Sequence, residues 1–419
     1  MQIEINKNTL SWVLLCGGMI LFFFADLHPW FLWPVEQFMM PLGAMLCVLS
    51  VIITMGTENP LFERQDFFYA FLFSSVLYVY SMMTDHMTVG SIVVSGAAIV
   101  AFYCLQRLSP VNLERLSNVI AILYGTMMLF SVGAFIAVVF GFNIPFTDTE
   151  YQDGNYHYLN YGFFMINLND MKEEMPRFCS YFIEPSHVGT TSCFLLLAQW
   201  GKWRKWYNIP TILSVFSSLS LAAYVIFPII IFLGLWIEGK RIMPKIALLV
   251  GIVAVFFVGV MSYNGGDNVL YDRIVDRLTI EDGGLKGNNR VDADFHNDLM
   301  DMMDSPDIIL GRDASKLDWG NSGATVYFYD NGIVGSILLI GMYFFTFLMG
   351  EERKRAISAI VVISIIFLVD GHALWLCYYI PIFIAANRIT TSSVYDEADA
   401  EELELQNKDR NFPVDEHSI

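Results

Sequence analysis

The sequence predicts an all-α fold, a polytopic bundle of transmembrane helices. Three observations indicate this class: 55% of the residues are hydrophobic, only 16% are charged, and long apolar runs recur along the 419 residues. A soluble chain of this length would need more charge to cover its surface. The formal charge of -18 does not argue for a soluble protein, because the acidic residues concentrate in two loops and in the C-terminal tail.

The apolar runs predict the individual spans, since a helical crossing requires about 20 apolar residues. In chain order the spans are Leu10–Leu27, Val35–Met55, Phe67–Met83, Thr88–Leu105, Asn118–Phe142, His187–Trp200, Ile246–Ser262, Gly332–Met349, Ala356–Asp370 and Ala373–Asn387. Short loops rich in lysine and arginine are cytoplasmic. Basic clusters such as those at Lys202 and Arg353 therefore place alternate connections, and both termini, in the cytoplasm.

One further apolar stretch, Ile209–Ile237, has basic clusters at both ends, so the chain must enter the membrane and return. A stretch of roughly 28 residues forms about 42 Å of helix, which suits two short legs. We expect the turn of this re-entrant hairpin at Ser214–Ser220, inside a protein-walled cavity, because its backbone groups would lack partners in lipid. The hairpin brings the total to about twelve spans. The alternative is one long tilted helix.

Residues 1–393 form the predicted transmembrane domain, and residues 394–419 form an acidic cytoplasmic tail. The tail is poor in apolar residues, so disorder is expected there. The six cysteines have no spacing typical of disulfides or metal sites.

The first extracytoplasmic loop spans about residues 143–186 and is rich in tyrosine. It ends in a segment where Arg177 and Glu184 precede Pro185 and His187. Proline suits the first turn of a helix. A span should therefore begin here, with the positive end of its dipole at the outer surface, where it favours phosphate or carboxylate groups. On residue types alone, an Arg177–Glu184 ion pair that anchors the loop is the simpler interpretation.

The second loop spans about residues 263–331. It contains four arginines among many aspartates: Arg273, Arg277, Arg290 and Arg312. The segment after Arg290 predicts an amphipathic helix that stops at Ser305-Pro306. Its packed stripe is Val291, Phe295, Leu299 and Met302. Asp292 and Asp294 resemble a metal-binding pair, but residues two apart do not share a helix face, so a solvated acidic face is the simpler interpretation.

Ionisable residues are nearly absent from the middle of the predicted spans. Those that occur, Asp26, Glu36, Asp370 and His372, lie near the outer ends. Coupled transporters usually need charged groups at membrane depth, so the pattern argues against ion-coupled or proton-coupled transport. It concentrates the polar chemistry at the outer surface, where an enzyme would meet a lipid-linked substrate.

Two groups of motifs resemble those of Wzy-type polysaccharide polymerases, which build O-antigen, capsule or exopolysaccharide. The first group is Arg177-x6-Glu184-Pro185-Ser186 at the start of a span, followed by the serine-rich hairpin. The second group is Asn288-Asn289-Arg290, a helix, Ser305-Pro306-x4-Gly311, Asn321-Ser322 and Asn331-Gly332-x2-Gly335. The match runs from about residue 177 to residue 335 in the expected order, whereas the N-terminal spans match only in being hydrophobic. Related O-antigen ligases carry a His-Asn pair where this chain has Gly320-Asn321, which favours a polymerase.

The resemblance implies a GT-C-type glycosyltransferase of the bacterial cytoplasmic membrane, with its active site facing the periplasm. Such an enzyme transfers a growing glycan from undecaprenyl pyrophosphate to the non-reducing end of a new lipid-linked repeat unit. Two arginines at motif positions, Arg177 and Arg290, are the expected pyrophosphate ligands. Further candidates are the other loop arginines, Arg273, Arg277 and Arg312. The expected catalytic base is Glu184, with His187 and His296 as alternatives.

The implied partners are undecaprenyl-pyrophosphate-linked oligosaccharides, membrane lipids and, as a further candidate, a polysaccharide chain-length regulator. No metal, cofactor or nucleic acid is implied. Three alternatives stay open: a ligase that transfers the finished glycan to an acceptor, a lipid-linked oligosaccharide flippase or polysaccharide exporter, and a non-enzymatic assembly scaffold. An exporter predicts cationic residues inside the bundle, and a scaffold would tolerate loss of Glu184 and both arginines.

Overall fold

The computed structural model describes residues 7–55, 61–62, 67–84, 88–151, 156–168, 176–239, 242–281, 284–285, 293–313, 323–350, 352–370 and 374–387. This part of the chain is mostly helical. Its α-helices are α1 Lys7–Ala25, α2 Glu36–Thr54, α3 Phe68–Thr84, α4 Val89–Arg107, α5 Pro110–Val139, α6 Pro185–Ala198, α7 Asn208–Ser217, α8 Leu221–Glu238, α9 Ile242–Ser262, α10 Ala293–Met303, α11 Gly323–Phe347, α12 Arg353–Asp370 and α13 Leu376–Asn387. The predicted tail, 394–419, lies outside the described residues.

Seven of the described helical segments are long and apolar enough to cross a membrane, and α3, α7 and α13 are shorter apolar helices. The protein is thus a mostly helical membrane protein. Helices occur wherever the apolar runs predict spans, with shifted ends. The largest shifts are at α5, which begins at Pro110, and at α11, which begins at Gly323 and kinks at Gly332.

Two small antiparallel sheets are the exceptions to the all-α prediction. The first has three strands in the order β1 Thr147–Tyr151, β2 Tyr156–Asn160 and β3 Met165–Asn167. Its register pairs Thr149 with Tyr158, and Leu159 with Ile166. The second pairs β4 Ile280–Glu281 with β5 Gly284–Leu285. Each of the two long loops contains one of these sheets, so neither sheet changes the helical architecture.

Helix α6 lies at the centre of the bundle, and every residue from His187 to Ala198 is buried. Helices α5, α7, α8 and α13 pack around it. Helix α5 runs antiparallel to α6: Tyr124 donates to the Val188 carbonyl oxygen over 3.1 Å. About three turns further along, at the end of α6, Gln199 donates to Ser117 Oγ over 2.6 Å.

The chain doubles back between α7 and α8. Just before α7, the Tyr207 hydroxyl lies 3.5 Å from Gln199 Oε1, near the end of α6. The break between the two helices packs against the first turns of α6, where a Cβ added to Gly189 would lie 2.6 Å from Ser218 Oγ. Leu219 in this break adopts a φ of 48° and is buried. The irregular backbone is therefore covered by α6, and it does not face lipid.

The bundle has two chemically distinct ends. We call one the basic end, where Lys202 pairs with Glu114 and Lys245 lies 2.6 Å from Glu238. We call the other the loop end, because both long loops emerge there. The Tyr80 hydroxyl near the end of α3 donates to the Leu310 carbonyl oxygen of the second loop over 2.8 Å.

The amphipathic helix predicted in the second loop is confirmed as α10. Phe295, Leu299 and Met302 are buried, and the ring of Phe295 lies 5.5 Å from that of Tyr329 in α11. The helix ends before Ser305, whose hydroxyl accepts a hydrogen bond from the Asp307 amide. Val291, the first residue of the predicted stripe, lies outside the described residues.

The contact between α5 and α7 provides a test of the packing. Gly125 lies so close to α7 that a Cβ would overlap the carbonyl oxygen of Tyr207, whereas Gly133 in the same helix has nothing within 4 Å of a Cβ. We expect Gly125→Ala to lower the Tm of the purified protein by several degrees, because overpacking costs about 1–3 kcal/mol. The matched variant Gly133→Ala should keep or raise the Tm, because alanine favours a helix over glycine by about 1 kcal/mol. Equal melting of the two variants would contradict this packing.

Candidate functional site

The site at the loop end is organised by the start of α6. The prediction that a helix begins at Pro185 is confirmed: Pro185 occupies the first turn, and Glu184 is the N-cap residue in an extended conformation. The Glu184 side chain does not cap the helix. Its Oε2 accepts a hydrogen bond from Ser186 Oγ over 2.8 Å. A carboxylate at this position interacts favourably with the positive end of the helix dipole.

His187, one turn into α6, is 3% exposed. Its ring meets the Trp375 ring edge to face, with the centroids 5.0 Å apart. The ring of His28, from the connection after α1, lies 6.5 Å from the same indole. The Trp375 ring, immediately before α13, therefore lies near the rings of both histidines.

The first-loop sheet covers the start of α6. The Tyr158 hydroxyl donates to the Ile183 carbonyl oxygen over 2.7 Å, which ties β2 to the residue before Glu184. The pKa of Tyr156 and the pKa of Tyr158 are both raised, mainly by burial and then by negative charge that includes the Glu184 carboxylate. Glu184 therefore lies near two phenol groups. Tyr158 is fully buried and its hydroxyl is engaged, whereas the partly exposed ring of Tyr156 could stack on a sugar.

A second polar group fastens the sheet to the N-terminal helices. The Tyr151 hydroxyl donates to the Glu36 carboxylate, at 3.1 Å from Oε1 and 3.0 Å from Oε2. His28 Nδ1 lies 3.2 Å from the same hydroxyl and 3.3 Å from Glu36 Oε1. The Trp33 ring packs on Tyr151 at 4.5 Å. The sequence did not reveal this group, because Tyr151 is more than a hundred residues from its partners and no motif joins them.

Arg312 belongs to a different part of the loop end. Its Nε lies 2.8 Å from Asp307 Oδ2, and its Nη2 lies 3.3 Å from Ser305 Oγ. The hydrogen bond to Asp307 is the main cause that raises the pKa of Arg312. The backbone amide of Arg312 donates to the Tyr329 carbonyl oxygen over 2.6 Å. Arg312 is therefore held beside α11, in a group that also includes the kink at Gly332.

The glycine motifs of the second loop and α11 interlock. Gly332 adopts a φ of 58° and a ψ of -162°, a conformation open essentially to glycine alone. A Cβ on Gly332 would lie 2.6 Å from the Gly311 amide nitrogen, and a Cβ on Gly311 would overlap the Asp330 carbonyl oxygen. Beyond the kink, the amide of Val334 donates to the Ile309 carbonyl oxygen over 3.1 Å. These motif residues therefore dock the loop on α11.

The predicted site residues fall into separate places. Glu184 and His187 share the first turn of α6, and Arg177 lies partly buried in the segment that leads to it. Arg273 and Arg277 lie in the helical turns 271–278, which pack against α8. Arg290 lies outside the described residues. Arg312 lies beside α11, where its partners are Asp307 and Ser305 of the second loop.

Within the described ranges, no group of three or more histidine, cysteine, aspartate or glutamate side chains is placed to hold a metal ion. Asp292, half of the possible metal-binding pair, lies outside those ranges, and Asp294 is exposed on α10. His296 is exposed on the same helix, as expected for a surface residue.

Comparison of the chain with known proteins gave no matching family model, no matching curated protein and no matching solved structure.

The hydrogen bonds of the Tyr151 hydroxyl to Glu36 lead to a testable prediction. Tyr151→Phe should expose β1–β3, because a buried hydrogen bond to a charged group contributes about 1.5–3 kcal/mol, and less where the carboxylate is partly exposed, as that of Glu36 is. We expect faster amide hydrogen exchange in 156–160 and faster proteolysis of the first loop. Tyr161→Phe is the matched control, since its hydroxyl has no hydrogen bond to the described residues. Similar protection in both variants would show that the hydroxyl does not fasten the sheet.

Proposed function

We propose that the protein is a membrane glycosyltransferase that polymerises undecaprenyl-pyrophosphate-linked repeat units into a surface polysaccharide. The observation that supports this most is the position of Glu184. This carboxylate, part of the polymerase-like motif, lies at the start of a buried helix, beneath an aromatic sheet, at the end of the bundle where both long loops emerge. A lipid-linked substrate with a projecting polar head would meet the protein there.

The proposal includes the orientation of the chain. The basic end would face the cytoplasm, by the excess of lysine and arginine in its short connections. The loop end would face the periplasm of a bacterial inner membrane. The helices α1–α9 and α11–α13 would all cross or re-enter the bilayer, in a GT-C-like arrangement of about twelve spans.

In the proposed reaction, a hydroxyl oxygen of the acceptor sugar attacks the anomeric carbon of the donor glycan. The bond between that carbon and the pyrophosphate oxygen breaks, and its electron pair leaves with undecaprenyl pyrophosphate. Glu184 takes the acceptor proton as general base, with His187 as the alternative. Arg177 and Arg290 stabilise the charge on the leaving group through forked hydrogen bonds, with Arg273, Arg277 and Arg312 as further candidates.

Chain extension in vitro is the direct test. Purified protein would be mixed with undecaprenyl-pyrophosphate-linked repeat units from its own host, without nucleotide sugars and with EDTA. We expect a ladder of longer lipid-linked glycans, because the donor already carries its leaving group. If folded protein and intact substrate give no ladder, the polymerase proposal fails. If lipid A core is added to the same mixture and receives the glycan, the protein is a ligase instead.

The role of Glu184 can be tested by a matched pair of substitutions. Glu184→Gln should reduce the chain-extension rate by at least about 100-fold, because a positioned general base contributes roughly 10²–10⁴-fold. Glu150→Gln makes the same change on an exposed strand of the same loop and should keep the rate within about twofold. Full activity of Glu184→Gln at normal expression would remove Glu184 from the role of base.

Arg177→Ala separates pyrophosphate recognition from folding. The variant should lose chain extension by about 10²-fold or more, since it removes a charge-assisted contact to the leaving group. Its binding of a neutral acceptor glycan, measured separately, should change little. Equal losses of activity and of glycan binding would indicate a folding defect.

A further inference from the structure

A cavity of about 450 Å³ opens at the basic end, between the first turns of α1 and α5. Helix α1 contributes Asn8, Thr9 and Trp12 to its walls, and α5 with its N-cap contributes Ser109, Asn112 and Arg115. The Ser109 amide donates to the carbonyl oxygen of Leu61, another lining residue, over 3.3 Å. The cavity lies at the opposite end of the bundle from Glu184, so it is separate from the site of the proposed reaction.

The cavity carries positive charge. Arg115 is exposed, and its hydrogen-bond partner among the described residues is Asn112 Oδ1 at 3.4 Å, not a carboxylate. The adjacent Glu114 is engaged by Lys202 from beyond the end of α6. Among the described residues that line the cavity, none is acidic. Arg107, which donates to the Phe62 carbonyl oxygen next to Leu61, adds a second cation nearby.

Exposed apolar surface continues from the cavity toward the middle of the bundle. Val13 lies one turn after Thr9 on α1 and is 58% exposed. Ile122 lies about two turns after Arg115 on the same face of α5 and is 43% exposed. Trp12, which lines the cavity, is partly buried. Tryptophan is typical of the boundary between the hydrocarbon core and the lipid headgroups. The surface around the cavity is therefore amphipathic, with its cation at the aqueous end.

We propose that this cavity binds the phosphate headgroup of an anionic membrane lipid, whose acyl chains lie along the exposed apolar faces of α1 and α5. A guanidinium matches phosphate in charge and geometry. The start of the 30-residue helix α5 adds a favourable dipole. Basic pockets between transmembrane helices bind anionic lipid headgroups. The apolar surface that continues from the cavity favours a lipid over a soluble phosphate compound, which would gain nothing from Val13 and Ile122.

The test is lipid binding by the full-length protein, delipidated in a neutral detergent. Dioleoyl-phosphatidylglycerol would be titrated and binding followed by native mass spectrometry and by Tm. We expect saturable binding of one lipid with a rise in Tm, and at least about tenfold weaker binding of dioleoyl-phosphatidylcholine. Arg115→Ala should weaken phosphatidylglycerol binding about tenfold. Arg204→Ala removes an exposed arginine from the same end, outside the cavity, and should change binding less than about twofold.

Val111→Trp gives an independent arm, because it fills the cavity and keeps Arg115. Val111→Trp should also weaken phosphatidylglycerol binding. If Arg115→Ala does not fold, unchanged binding by Val111→Trp would overturn the proposal. The proposal is overturned if Arg115→Ala and Arg204→Ala weaken binding equally, because surface attraction would then explain it. It is also overturned if inorganic phosphate displaces the lipid at equal concentration, which would indicate a site for a soluble anion. None of these outcomes depends on glycosyltransferase activity.

Discussion

The complete burial of α6 is the constraint on which the rest of the structure depends. A helix of 14 residues is about 21 Å long, shorter than the roughly 30 Å hydrocarbon core of a bilayer. It can lie at membrane depth because other helices enclose it. A polar side chain there can find a partner only inside the protein. Ser192 does so through the Tyr124 hydroxyl at 2.9 Å and Ser214 Oγ at 2.8 Å, which bonds α6 to α5 and α7. The hydroxyls of Thr190 and Thr191 have no hydrogen bond to the described residues.

These hydrogen bonds also fix what the first turn of α6 presents at the loop end. His187 and Ser192 are five residues apart, so they lie about 140° apart around the helix. With Ser192 held by α5 and α7, His187 is directed to Trp375 at the start of α13. Asp26 secures α13 in turn, since its Oδ2 accepts hydrogen bonds from the amides of Leu376 and Cys377. The rotation of one buried helix thus sets the surroundings of Glu184.

The sequence predicts those features that local physics determines. Apolar runs locate the helices because lipid and core both require them, Pro185 locates the start of α6, and the spacing of Phe295, Leu299 and Met302 defines α10. Contacts between distant segments could not be predicted. The first-loop sheet packs with Ile183, just before α6, and with Trp30 and Trp33 from a connection more than a hundred residues away. The meeting of Tyr151 with Glu36 depends on that packing, and not on either local sequence.

The resemblance to polysaccharide polymerases rests on two kinds of residue, and the structure separates them. The backbones of Gly311 and Gly332 are in contact, so the role of these glycines is steric. A side chain at either position would force the second loop away from α11. Arg312, beside them, already pairs with Asp307 at 2.8 Å, and a pyrophosphate would have to replace that carboxylate. Ion pairs of this half-exposed kind are weak enough to exchange, but the exchange reduces the net gain. If Arg312 binds the pyrophosphate as proposed, its contact would therefore contribute less than the full strength of a charge-assisted hydrogen bond. In the proposed reaction the chemistry would centre on the first motif, where Glu184 adjoins the helix start and Arg177 lies seven residues before it.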